Sequence, residues 1–239
     1  MSLLISCAKF STEKPDEVME PVNVIYNKAM DQLAAQDYEA AADSFAKVQE
    51  DSYSSWSNKA QVMEAYAKYK AKEYEDSLVI LEEYAKLYPA SSDMAYVLYL
   101  KSLCYFEQVL DEKRDQSPSE QALEAMNHLI ARFPSSIYAA DAKLKINLLF
   151  DHLAGHEMTI GRFYQTKGDV ISAVNRFATV IQKYSTTSHV KEALYRLTEC
   201  YMLLGIRPEA EKYAAILGHN YPDSKWYHYS YNLLHPKKK

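Results

Sequence analysis

Apolar side chains recur every three or four positions along most of this chain, in bursts a few turns long that stop at short polar segments. This is the pattern of helices that each bury one face. Residues 73–92, EYEDSLVILEEYAKLYPASS, show it most plainly. Tyr74, Ser77, Leu81 and Tyr84 fall on one helical face, and Tyr88-Pro89 ends the helix because proline has no N–H and clashes with the preceding turn. Ser91, Ser92 or Asp93 can then cap the next helix.

The phrase repeats. Tyr38, Ala41, Phe45, Val48 and Tyr53 stand 36 residues ahead of Tyr74, Ser77, Leu81, Tyr84 and Pro89. Phe133-Pro134-Ser135-Ser136, Tyr184-Ser185-Thr186-Thr187 and Tyr221-Pro222-Asp223-Ser224 close further copies, each between two amphipathic helices. Self-similarity at about 34 residues is the signature of tetratricopeptide-like helix pairs, which stack so that each pair packs only on its neighbours. The expected fold is an all-α, tetratricopeptide-like α-solenoid of about five helix pairs with an extra helix before the fourth. The pairs read as 22–35 with 38–49, 55–69 with 74–87, 92–109 with 119–132, 157–167 with 170–183, and 189–204 with 207–220. The extra helix is expected at 136–153, with a kink or break near Gly155, and a terminal cap at 224–234. Segment 110–118, LDEKRDQSP, reads as an exposed loop. The chain then divides into a tether at 1–21, repeats one to three at 22–135, the remaining helices at 136–234 and a basic tail at 235–239.

Charge narrows the partners. Lys+Arg 27 against Asp+Glu 32 gives a net −5, with no basic stripe to displace counterions, so nucleic acid is not expected. Five glycines are too few for phosphate-binding loops, and no run of 18 apolar residues is present to span a membrane. Cys104 and Cys200 sit among apolar helical neighbours and read as small core side chains.

Little points to catalysis. His152 and His156 are one turn apart beside Asp151 and Glu157, but two ligands do not make a zinc site. A hydrolase built on them would require bound metal. No nucleophile-base order or paired-carboxylate signature accompanies them, so neither an enzyme, a metal nor a cofactor is expected.

Twenty-one tyrosines are the compositional oddity. In helix-pair arrays the first helix of each pair lines the concave face. With Ala29, Ala65 and Ser102 as the small contact positions, the inward set is Tyr26, Met30 and Leu33, then Val62, Tyr66 and Tyr69, then Tyr99, Leu103 and Phe106, with Tyr96 beside them. Tyr26, Tyr66, Tyr69, Tyr96 and Tyr99 would form an aromatic groove suited to an extended peptide with an aromatic end. The alternative is that these rings pack repeat on repeat. Arg176, between apolar residues of Ala173-Val174-Asn175-Arg176-Phe177, reads as a snorkelling surface arginine.

At the N-terminus Leu4-Ile5-Ser6-Cys7 matches a bacterial lipobox, in which the cysteine is lipidated. Only six residues precede Cys7, so the match is accidental or the signal is truncated. Residues 8–21, polar and with Pro15 and Pro21, suit a tether.

Together, NVIYNKAMDQLAAQDYEAAADSFAKV, LYPASSDMAYVLYLKSLCYF, the run from RFPSSIYAADAK to ATVIQKY and the lipobox resemble the BamD family, lipoproteins of the β-barrel assembly machinery. The similarity runs from Cys7 to about Leu234 and is most distinctive over 141–184. Departures are the missing signal peptide, Ser185 in place of proline and a Lys-rich end. The resemblance implies an anchor at Cys7 on the periplasmic face of the outer membrane, with Ala8 fitting sorting to that membrane. It also implies N-terminal repeats that receive the C-terminal strand of unfolded outer-membrane β-barrel proteins. The C-terminal repeats, Arg176 among them, would hold the periplasmic domains of BamA beside other lipoproteins of the same machinery. The alternative is another periplasmic tetratricopeptide adaptor of the cell-envelope or division machinery.

Overall fold

A computed structural model describes residues 20–50, 56–109 and 115–236. The lipobox with Cys7, nearly all of the tether, most of the charged loop and the terminal lysines lie outside the described residues.

Eleven helices run through the described residues: α1 Val22–Ala34, α2 Tyr38–Gln49, α3 Ser57–Lys70, α4 Tyr74–Leu87, α5 Met94–Glu107, α6 Ser117–Arg132, α7 Ile137–Lys167, α8 Val170–Lys183, α9 Val190–Leu203, α10 Arg207–Asn220 and α11 Lys225–Leu234. They form the expected all-α array of stacked pairs, each helix packed on the next. No helix among the described residues is long and apolar enough to cross a membrane.

Four of the pairs turn on a shared backbone device. Just past the first helix one residue takes positive φ, at Gln36 (63°), Lys72 (66°), Gly168 (82°) and Gly205 (74°). The following N–H then reaches back five residues, from Asp37 to Gln32, Glu73 to Lys68, Asp169 to Tyr164 and Ile206 to Tyr201. These are Schellman closures, which satisfy carbonyls that the helix end would otherwise orphan. Asp37 and Asp169 at once cap the second helix, accepting from the N–H of Ala40 and Ser172.

Four of the five second helices end on an aromatic. Tyr88, Phe133, Tyr184 and Tyr221 cap α4, α6, α8 and α10 with φ from −124° to −141°. Proline follows three of them, yet α8 stops in the same geometry before Ser185. Burial of the ring is the shared cause, since all four rings pack against hydrophobic clusters.

One expectation is corrected. The extra helix and the first helix of the fourth pair are a single 31-residue helix, α7, running unbroken through Gly155. A helical glycine costs only about 1 kcal/mol. A break there would orphan several buried backbone groups, because Leu153, Ala154, Gly155 and Met158 are all buried. α7 supplies Ala142 and Leu149 to the core of repeats two and three, and Ala154 and Met158 to the core of repeats four and five.

Candidate functional site

Repeats two and three carry an aromatic wall. Tyr66 and Tyr69 of α3 and Tyr96 and Tyr99 of α5 are half-buried, their rings seated on the core that α4, α5 and α6 build. The packing alternative holds for all four rings, and each is also left partly exposed. Tyr66 and Tyr69 lie 6.4 Å apart between centroids, and Tyr69 touches Tyr74 at 5.9 Å.

A third wall comes from α7. Tyr138 stacks on Tyr99 at 5.2 Å and meets Tyr96 at 5.4 Å. Tyr99 donates its hydroxyl hydrogen to Asp141 Oδ2 at 2.5 Å, Asp141 pairs with Lys145 at 3.4 Å, and Lys145 lies 5.4 Å from the Phe106 ring centroid. Sequence reasoning missed Tyr138, Asp141 and Lys145 because they lie in the extra segment, outside the repeat register. Tyrosine at the second position of α7 was the only available signal.

Tyr26 does not belong to this wall. It is only 5% exposed, with Phe45 at 5.4 Å and Trp56 at 4.9 Å from its ring, so it is core of the first repeat. The same register that turned Tyr66 inward applies to it, but the aromatic Trp56 ahead of α3 closes over the ring.

Burial raises the hydroxyls of Tyr69, Tyr96 and Tyr99. Burial, with Glu107 nearby, pushes the Tyr69 hydroxyl up to about 12, and Tyr69 donates to Glu107 at 3.4 Å. Burial likewise raises Tyr96, beside Tyr66 and Tyr138, and raises Tyr99, which Asp141 raises further.

At the C-terminal end Arg162, Gln165, Tyr195 and Glu199 join in a chain of polar contacts, with Gln165 donating to Glu199 at 3.3 Å. Arg162 donates to Glu192 at 3.3 Å, Arg196 to Glu192 at 3.3 Å and to Glu199 at 2.9 Å, and Tyr195 to Glu199 at 2.5 Å. Tyr195 also meets Trp226 at 5.4 Å and Tyr229 at 5.7 Å, so this end combines charged and aromatic groups.

Arg176 has a partner within the chain. Its Nη1 donates to both carboxylate oxygens of Glu157, at 3.3 and 3.2 Å, bridging α8 to α7. The expectation of a snorkelling side chain changes accordingly: Arg176 is 42% exposed and ion-paired, while Glu157 is 16% exposed. His152 and His156 both lie in the continuous α7, and no group of three or more His, Cys, Asp or Glu side chains among the described residues is arranged to hold a metal. Cys104 and Cys200 are buried free thiols, pushed up to about 11 chiefly by that burial.

The chain matches the YfiO family model, described as outer membrane lipoprotein, over residues 19–217. It is 41% identical to the outer membrane protein assembly factor BamD of Caulobacter vibrioides over 93% of this chain and 74% of that protein. It is 42% identical to the protein of the same name from Rickettsia prowazekii, over 94% and 90%. Against the BamD of Neisseria meningitidis serogroup A identity is 31%, over 92% and 88%. With well over half of its length matched and such identity to full-length relatives, this chain belongs to the BamD (YfiO) family.

Proposed function

We infer that this chain is an outer-membrane protein assembly factor without enzymatic activity, a scaffold that holds unfolded β-barrel proteins while they are delivered for insertion. The observation that carries the reading is the aromatic wall of Tyr66, Tyr69, Tyr96, Tyr99 and Tyr138, a rigid amphipathic surface fit for the aromatic end of an extended chain. The names of its relatives agree.

In this reading Cys7 carries the lipid anchor at the periplasmic face of the outer membrane. More than one acyl chain would be needed for stable attachment. The C-terminal repeats dock the periplasmic domains of BamA through the α7–α8 surface around Arg176, alongside other lipoproteins of the machinery. Because Glu157 already holds Arg176, a docking carboxylate competes with it rather than meeting a bare cation.

Fluorescence anisotropy with labelled peptides ending in an aromatic residue tests the groove. Truncation of Tyr66, Tyr69 and Tyr99 to alanine is expected to cost about 1–2 kcal/mol of binding each. Unchanged affinity in the triple variant, with helicity retained, removes the groove from the mechanism.

A further inference from the structure

The first half of α7 carries some of the most exposed large apolar side chains among the described residues: Ile137 at 77%, Leu144 at 68% and Leu148 at 62%. At about 100° per residue the three fall within about 40° of each other, on the side away from buried Ala139, Ala142 and Leu149. Between stripe and core lie Tyr138 and Lys145, with Asp141 beside them, the residues through which α7 meets the tyrosine wall. The stripe thus begins where the third wall of the groove turns outward. Folding does not require it, since an exposed apolar row gains nothing from the core and risks non-specific association.

We propose that Ile137, Leu144 and Leu148 form a second subsite of the groove. It takes the alternate apolar side chains of the same extended segment whose aromatic end lies on the tyrosines. This rests on the groove reading above. The dimensions agree: Ile137 to Leu148 spans about 16 Å of helix, the length of about five residues of extended chain. Side chains on one face of such a chain recur about every 7 Å, against about 6 Å of rise between Leu144 and Leu148. Strands of membrane barrels carry this alternation, apolar on the lipid side and polar on the other. A ligand of that class brings an apolar row to an apolar row that the fold leaves open, the two in step between Leu144 and Leu148.

The test uses the full chain and two labelled peptides with the same aromatic end, one short and one extended by about six residues of alternating valine and serine. The longer peptide is expected to bind about tenfold tighter. Leu144→Ser with Leu148→Ser should abolish that gain while leaving the short peptide's affinity and the melting temperature unchanged, since both side chains are exposed. An undiminished gain in the double variant overturns the proposal. So does an equal gain from an extension of serine alone, or a dimer that the double variant dissolves. Failure of the short peptide to bind, with the stripe-dependent gain intact, overturns the tyrosine reading and leaves the stripe standing.

Discussion

Tyr99 and Asp141 are 42 positions apart in sequence and share a 2.5 Å hydrogen bond that ties α5 to α7 across the mouth of the aromatic groove. A phenol donating to a carboxylate is a charge-assisted bond, worth about 1.5–3 kcal/mol when neither group is left unpaired. Tyr99→Phe and Asp141→Ala should each lower stability, and a double-mutant cycle by urea unfolding should return a coupling of about 1 kcal/mol or more. Additive losses would mean that the two groups act separately.

The pair turns offer a cleaner contrast. Lys72 holds a left-handed conformation that Gly168 holds at the equivalent turn. Lys72→Gly should raise stability by up to about 1 kcal/mol and Gly168→Ala should lower it by about as much, because a Cβ is penalised in that region. Thermal melts of the two variants should shift in opposite directions.

Gly161 lets α7 and α8 approach closely. A Cβ there would lie 2.5 Å from Cε1 of Phe177, whose ring is fully buried and has nowhere to retreat. Gly161→Ala should cost about 1–3 kcal/mol by overpacking. Phe177→Leu in the same chain should recover part of that loss, whereas two purely additive losses would show that the ring is not the obstacle.

Alkaline titration reads the groove directly. The folded state holds the Tyr69 proton up to about 12, chiefly because of burial, and raises Tyr96 and Tyr99 as well. Their contribution to stability is complete below the ordinary tyrosine value of about 10 and is lost as the pH climbs from there through the folded values. Tyrosinate absorbance should show a fraction of the twenty-one tyrosines ionising late, in step with loss of helicity. Titration of all of them near 10 in a still-helical protein would contradict the burial.

Arg176 separates fold from docking. Its pair with Glu157 is partly exposed, so Arg176→Ala should change stability by less than about 1 kcal/mol. Isothermal titration against BamA periplasmic domains should find Arg176→Glu weaker than Arg176→Ala, since the reversal adds repulsion. Equal affinities for the native chain and Arg176→Glu would reduce the residue to a strut between α7 and α8.

The helix pairs were legible because their punctuation is local: an aromatic before proline, an aspartate ahead of an apolar run, a glycine past a helix end. The tyrosine wall was legible where the repeat register holds, at Tyr66, Tyr69, Tyr96 and Tyr99. Burial of Tyr26 was not, since Trp56 lies 30 positions away and covers it only in three dimensions. Tyr138 and Glu157 escaped for a related reason: both sit on α7, whose length interrupts the repeat period. Gly155 suggested a break because propensity is local, while burial of its neighbours on two cores is not.

α7 is a rod of about 46 Å seated at one end in the core beneath the tyrosines and at the other in the core beside Arg176. The two halves of the array therefore cannot hinge independently without bending it. A tilt of about 5° at its centre carries each end about 2 Å in opposite directions. On the proposed function, a load applied at the C-terminal repeats would be felt as a shift of Tyr138 against Tyr99, which would couple the grip on a bound segment to the seating of a docked partner.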